Sequence, residues 1–219
     1  MRKLAAKNGI DTLADRVHST LRAALTAGDM EPGQTYSVPS LAKRFDVSPT
    51  PVREAMLRLA KEGFVEPIKN KGFRVVEIRQ EQLDQIIELR LLLEVPATVK
   101  AARLVTPSQM TRLRDLAARI VSHAKDGNLT LYIKADTEFH QLLMQIAGNP
   151  QLTKLTEVLR AQTRLLGLSH LAKTGSLVDS ANEHLQLLDK IERGDAGSVQ
   201  KLISHHLGHA RGIWSGREE

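Results

Sequence analysis

Residues 40–59 read SLAKRFDVSPTPVREAMLRL, and the spacing of their apolar side chains predicts two short helices around a tight turn. Leu41, Ala42 and Phe45 give the first helix an inner face, and Val47 plugs the turn. Val52, Ala55, Met56 and Leu59 recur at helical spacing and give the second helix a face of its own. Ser37 or Val38 ahead of Pro39, and Ser48 ahead of Pro49, are suited to cap the two helices. Gly63 suits a left-handed exit from the second. This is the organisation of a helix-turn-helix. Its outer face carries Ser48, Thr50 and Arg53 at the start of the second helix, where free backbone N–H groups and the helix dipole favour a phosphate. Arg53 is suited to clamp a phosphate or read guanine, and Ser48 and Thr50 are short donors for backbone or base edges.

Working outward, a third helix is expected over 12–27. Strands over 64–66 and 73–77, joined by 67–72, form a hairpin. Lys69, Lys71 and Arg74 surround Gly72 on that hairpin, placed to lie along a neighbouring groove as a wing. Charge follows the same division. Of the net +6, residues 1–79 hold 14 Lys/Arg against 9 Asp/Glu, whereas residues 80–219 hold 17 against 16. Aromatic residues make up 3% of the chain, too few for the stacking surfaces of single-strand binders, so duplex DNA is the expected partner. Cysteine is absent, which excludes disulfides, thiolate zinc sites and thiol nucleophiles, and suits a reducing cytoplasm. No apolar run reaches the ~18 residues of a membrane span, and no secretory leader is expected at the start.

From residue 81 onward the pattern is helical throughout: about 81–104 with an interruption at Pro96, then 107–126, 129–147, 150–168, 177–193 and 195–214. The fold class expected is therefore mainly α, with a winged helix-turn-helix over 1–79 and an antiparallel helical bundle over 80–219. Thr106 to Gln109 has the form of a capping box. Gly148-Asn149-Pro150 and Gly194-Asp195 are stop-and-restart signals.

Within the bundle, Asp136 and His140 share one helix face. His184 falls within the apolar stripe of Leu177, Ala181, Leu187 and Ile191, and His206 within that of Leu202, Ile203, Ala210 and Ile213. His205 and His209 read as rim or surface positions. One inward histidine is ordinarily a hydrogen-bonded core residue, but three imidazoles and a carboxylate buried together are costly unless a cation binds them. An oxygen and nitrogen donor set of this kind suits zinc first, with nickel, manganese or iron as alternatives.

Residues 16–76 resemble the winged helix-turn-helix of the GntR family on Gly28, Pro32-Gly33, Leu41-Ala42, Val47-Ser48, Thr50 through Ala55, Leu59, Glu62-Gly63 and Gly72-Phe73 with Val75. Two positions depart from it: Pro49 stands where many members have arginine, and Val38-Pro39 where many have a charged residue and arginine. From Leu83 to Leu207 the chain resembles the FCD ligand-binding domain of the FadR branch. That resemblance rests on Glu88-Leu-Arg90 with Glu94, Asp136 with Phe139-His140, Gly148-Asn149-Pro150 with Leu152, Glu183-His184, Gly194-Asp195 and His206-Leu207.

The resemblance implies a homodimeric DNA-binding transcription regulator, in the first instance a repressor, whose hold on a two-fold operator responds to a small carboxylate effector. It implies that Asp136, His140, His184 and His206 bind a divalent metal. It also implies that Arg90 lies near the effector cavity; Arg164 is a further candidate to clamp the acid, and the alternative for each arginine is a structural pairing with Glu94 or Glu88. Two rivals remain at this level. One is a regulator whose metal is purely structural or absent. The other is a metallohydrolase, against which stand the lack of a His-Glu-x-x-His motif, a nucleophile elbow or a phosphate-binding glycine loop.

Overall fold

The computed structural model describes residues 12–26, 28–77, 79–163 and 176–209. The chain divides into two compact units, Met1–Ile78 and Arg79–Glu219.

In the first unit the elements run α1 (Leu13–Thr26), β1 (Thr35–Tyr36), α2 (Val38–Phe45), α3 (Pro49–Lys61), β2 (Val65–Ile68) and β3 (Gly72–Val75). Thr12 and Asp15 start α1 with a reciprocal box: the Asp15 N–H donates to the Thr12 hydroxyl, and the Thr12 N–H donates to the Asp15 carboxylate. The inner face of α3 is Val52, Ala55, Met56 and Leu59, all without solvent exposure, and α3 packs on α1, where Val17 and Leu21 are equally buried. Each large apolar side chain so buried contributes roughly 1.5–3 kcal/mol.

Between α2 and α3, Asp46 adopts the left-handed conformation that turns the chain, with its N–H donating to the carbonyls of Ala42 and Lys43. Ser37 is the cap of α2, accepting from the Ser40 N–H at 3.2 Å, with Pro39 inside the first turn. Ser48 precedes α3 in extended geometry without a side-chain cap bond.

The strands form an antiparallel sheet in the order β1-β3-β2, with Thr35 opposite Arg74 and Glu66 opposite Arg74 on the other side. The sequence pattern predicts only the β2–β3 pair. Strand β1 is two residues long, too short to show a period of two. The hairpin turn is also tighter than expected: Lys69, Asn70 and Lys71 alone join β2 to β3, with Asn70 at φ +60°. Gly72 sits at φ +121°, and a Cβ there would come within 2.3 Å of the Tyr36 carbonyl oxygen, so β1 can close on the hairpin only because position 72 has no side chain.

The second unit is an antiparallel bundle of α4 (Gln80–Leu104), α5 (Pro107–Lys125), α6 (Leu129–Ile146), α7 (Pro150–Thr163), α8 (Ser176–Glu192) and α9 (Ala196–Gly208). Helix α5 packs on α6 and α8, and α4 packs on α6, α7 and α9. The core includes Leu113, Ile120, Phe139, Leu143, Leu188 and Ile203, each fully buried. Thr106 and Gln109 complete the capping box that opens α5, the Asn149 side chain accepts from the N–H groups of Gln151 and Leu152, and Asp195 caps α9.

The expected interruption at Pro96 is corrected: α4 runs unbroken through it. Pro96 and Leu92, four residues earlier, both lie on the exposed side, where solvent can take the carbonyl that proline leaves without a donor. Among the described residues no helix is long and apolar enough to cross a membrane.

Candidate functional site

Four donors expected to converge are brought together from three helices. Asp136 and His140 lie one turn apart on α6, His184 is on α8 and His206 on α9; one ligand atom from each falls within 4.8 Å of every other. His140 Nε2 is 3.2 Å from His184 Nε2, and Asp136 Oδ1 is 3.6 Å and 3.3 Å from those two nitrogens. Donors held at ~2.0–2.2 Å around one ion stand about 2.8–3.6 Å apart between octahedral and tetrahedral angles, so the Asp136, His140 and His184 edges suit one cation, and a five- or six-coordinate ion keeps open positions. The imidazoles of His140 and His184 meet edge-on over Phe139, and the ring of His206 stacks on His140.

The far side of two rings is fixed. His184 Nδ1 donates to the Ala181 carbonyl at 3.1 Å, and His206 Nδ1 donates to Glu183 Oε2 at 2.7 Å. Each Nδ1 therefore donates outward, which in the neutral ring leaves Nε2 as the lone pair toward the centre, the tautomer a metal ligand needs. Burial, with the positive charge of Arg160 beside it, holds His140 well below its ordinary pKa. Burial and the neighbouring His184 do the same for His206. Both are thus neutral donors, and the donor set fits a divalent ion.

The carboxylate has its own partner. Arg160, a buried residue of α7, donates to Asp136 Oδ2 at 3.1 Å and to Glu94 Oε2 at 2.7 Å. Glu94 also accepts from Arg90 Nε at 2.6 Å, and Arg90 reaches Thr163 at 3.1 Å. Burial opposes the charge on Glu94, but the two guanidinium groups outweigh it and hold its carboxyl below the ordinary range. The result is a buried chain, Arg90 to Glu94 to Arg160 to Asp136, running from α4 into the centre. A small cavity of about 20 Å³ lies against Arg90, Tyr132, Asp136, Arg160, Ser180 and His206.

Arg90 is thus placed beside the centre and is engaged by Glu94. Arg164 lies outside the described residues. Arg160 does not stand out in the sequence: it lies at helical spacing from Thr156 and Thr163, but the burial of that stripe shows only in the fold. Glu183 likewise reads there only as a neighbour of His184. His209 was expected at the rim and is corrected: it is 7% exposed, because the last turn of α9 faces Glu183 on α8. His205 is exposed.

In the other unit Ser48, Thr50 and Arg53 are all exposed at the N-terminal end of α3. Lys69, Lys71 and Arg74 are exposed on the hairpin, and Arg74 pairs across the strands with Glu66 at 2.6 Å. Gly72 is half-buried, and its backbone packs against Tyr36.

Residues 13–75 match the gntR family of bacterial regulatory proteins, and residues 85–209 match the FCD domain. The chain is 26% identical over 203 residues, 91% of its own length and 88% of the relative's, to the HTH-type transcriptional repressor RspR of Escherichia coli K12. It is 32% identical over 135 residues to the Nta operon transcriptional regulator of Aminobacter aminovorans, covering 61% and 63% of the two chains. The solved structure of E. coli McbR/YncC superposes with a TM-score of 0.77 at 24% identity, covering 91% of this chain and 95% of that one.

Proposed function

This chain belongs to the gntR family of bacterial regulatory proteins and carries an FCD domain, which makes it a DNA-binding transcription regulator and not an enzyme; on that premise we propose that a small carboxylate effector, taken up at a metal centre in the helical unit, controls its hold on operator DNA. The observation that carries the reading is the convergence of Asp136, His140, His184 and His206 in a bundle belonging to a DNA-binding chain.

Those four side chains would hold the ion, zinc foremost and nickel, manganese or iron after it. Bound there, the ion supplies open coordination positions that accept carboxylate oxygens. The protein's own residues do the rest. Glu183 and the Ala181 carbonyl hold two imidazoles in the donating tautomer. Arg160 and Arg90 supply positive charge beside the centre for the acid. Arg164 is proposed as a further clamp. The cavity beside the arginines has room for about one water, so an acid enters as Arg160 exchanges a carboxylate partner for the incoming one. That exchange alters the Asp136 and Glu94 contacts that tie α6, α7 and α4 together, and gives the effector different affinities for two arrangements of the bundle.

In the first unit Ser48, Thr50 and Arg53 read the major groove from the start of α3, and Lys69, Lys71, Gly72 and Arg74 follow the adjacent backbone or groove. We place the DNA-binding domain at 1–79 and the effector and dimerisation domain at 80–219. A homodimer is supported by exposed apolar residues on two packed helices, Leu89 and Leu92 of α4 with Leu155 and Val158 of α7, which a second copy would cover. Repression in the cytoplasm, with release of DNA on effector binding, completes the reading. It is tested by fluorescence anisotropy of the zinc-loaded protein with duplex DNA from upstream of its own gene. Arg53→Ala is expected to abolish specific binding, and undiminished binding by that variant would remove α3 as the reading helix.

A further inference from the structure

Glu183 of α8 has two oxygens with different neighbours. Oε2 is taken by His206, whose imidazole it turns toward the first centre. Oε1 points the other way, 3.5 Å from His205 Nε2 and 3.5 Å from His209 Nε2, and those two nitrogens are 3.0 Å apart. We propose that Glu183, His205 and His209 form a second binding site for a divalent transition-metal ion such as Zn²⁺, sharing the Glu183 carboxylate with the support of the first.

The geometry argues for an ion over a simple hydrogen-bonded cluster. A proton shared between the two imidazoles accounts for their 3.0 Å contact but leaves Glu183 Oε1 at 3.5 Å from both nitrogens, beyond good hydrogen-bond range. All three edges instead bracket the ~3.3 Å separation of donors around a tetrahedral ion with nitrogen and oxygen ligands at ~2.0–2.2 Å. His205 and His209 are four residues apart, so one helical turn aims both rings the same way, and their centroids lie 4.4 Å apart.

Two imidazoles and one carboxylate make a three-ligand set that leaves a position for water, a composition suited to zinc, nickel or cobalt. Access is built in. Glu183 and His209 are largely buried, whereas the His205 side chain is 57% exposed and opens the cluster to solvent. None of its ligands is a ligand of the first centre. Because Glu183 orients His206 through its other oxygen, an ion here changes the basicity of that imidazole, and the two sites become linked.

The test uses tag-free, chelator-stripped, full-length protein dialysed to equilibrium against micromolar Zn²⁺, with bound zinc measured per chain. Wild type is expected to hold two ions, and His184→Ala and His205→Ala one each. His205 is exposed, so its variant keeps the fold. Glu183→Gln retains an acceptor for His206 but removes the charge of a direct ligand, and should weaken the second ion by more than the roughly tenfold cost of losing an outer-shell partner. Two ions retained by His205→Ala, or one ion held equally by wild type and His205→Ala, would overturn the proposal. One ion in wild type and in His184→Ala but none in His205→Ala would support the second site while sinking the first.

Discussion

Arg160 of α7 and Asp136 of α6 are joined across 3.1 Å, and the same guanidinium reaches Glu94 of α4 at 2.7 Å, so one buried cation binds the candidate metal centre to two neighbouring helices. Removing it takes a buried guanidinium partner from both carboxylates at once. Breaking a buried pair from one side costs about 3–5 kcal/mol. Arg160→Met is therefore expected to lower the unfolding free energy of the metal-free protein by that amount in urea denaturation. A loss under ~1 kcal/mol, the range of surface pairs, would show that the network contributes little to stability.

Gly72→Ala tests how the hairpin is closed. At φ +121° the added Cβ meets the Tyr36 carbonyl at 2.3 Å, backbone against backbone, so neither partner can swing aside. Strain of this kind costs on the order of 1–3 kcal/mol, and the sheet must shift to relieve it. The variant is expected to lose DNA affinity and thermal stability of the first unit, with zinc uptake by the helical unit unchanged. Wild-type melting of Gly72→Ala would contradict the close approach of β1.

Much of this was legible in the sequence, and the misses have physical causes. The helices of both units announce themselves because one apolar face per helix recurs at a period the chain cannot hide. Asp136, His140, His184 and His206 could be singled out because each lies on such a face. The two-residue strand β1 carries no period, and Pro96 reads as a break only when its exposure is unknown. Arg160 and Glu183 stay hidden for a different reason: a charged residue in a buried stripe is interpretable only once its partner from another helix is in view. The same holds for His209, whose burial depends on α8.

Asp15 supplies a pH signature in the first unit. Hydrogen bonds from the Thr12 hydroxyl, then from Arg58 and the Thr12 backbone, pull its pKa from 3.8 to about 2. A folded value below the unfolded one means that its contribution is complete above the unfolded pKa and is lost as pH falls through about 2. Carboxyl NMR titration of Asp15 should show a midpoint near 2, and the stability difference from Asp15→Asn should shrink over the same window. A midpoint at 3.8 would show that α1 is held without these bonds.

The wing lysines are expected to act through phosphates. Lys69 and Lys71 flank the turn at Asn70 and are exposed. Replacing either with alanine should weaken binding to all duplexes alike and lower the slope of log K against log salt by about 1 for each phosphate no longer neutralised. A change confined to one operator base, with the salt slope intact, would mean the lysine reads sequence instead.

The most direct test of the sensing half is diffraction from zinc-loaded crystals on either side of the zinc absorption edge. The account predicts a strong anomalous peak at ~2.0–2.2 Å from an oxygen of Asp136 and from Nε2 of His140, His184 and His206. Crystals grown in excess zinc that show no peak among those four side chains would contradict it.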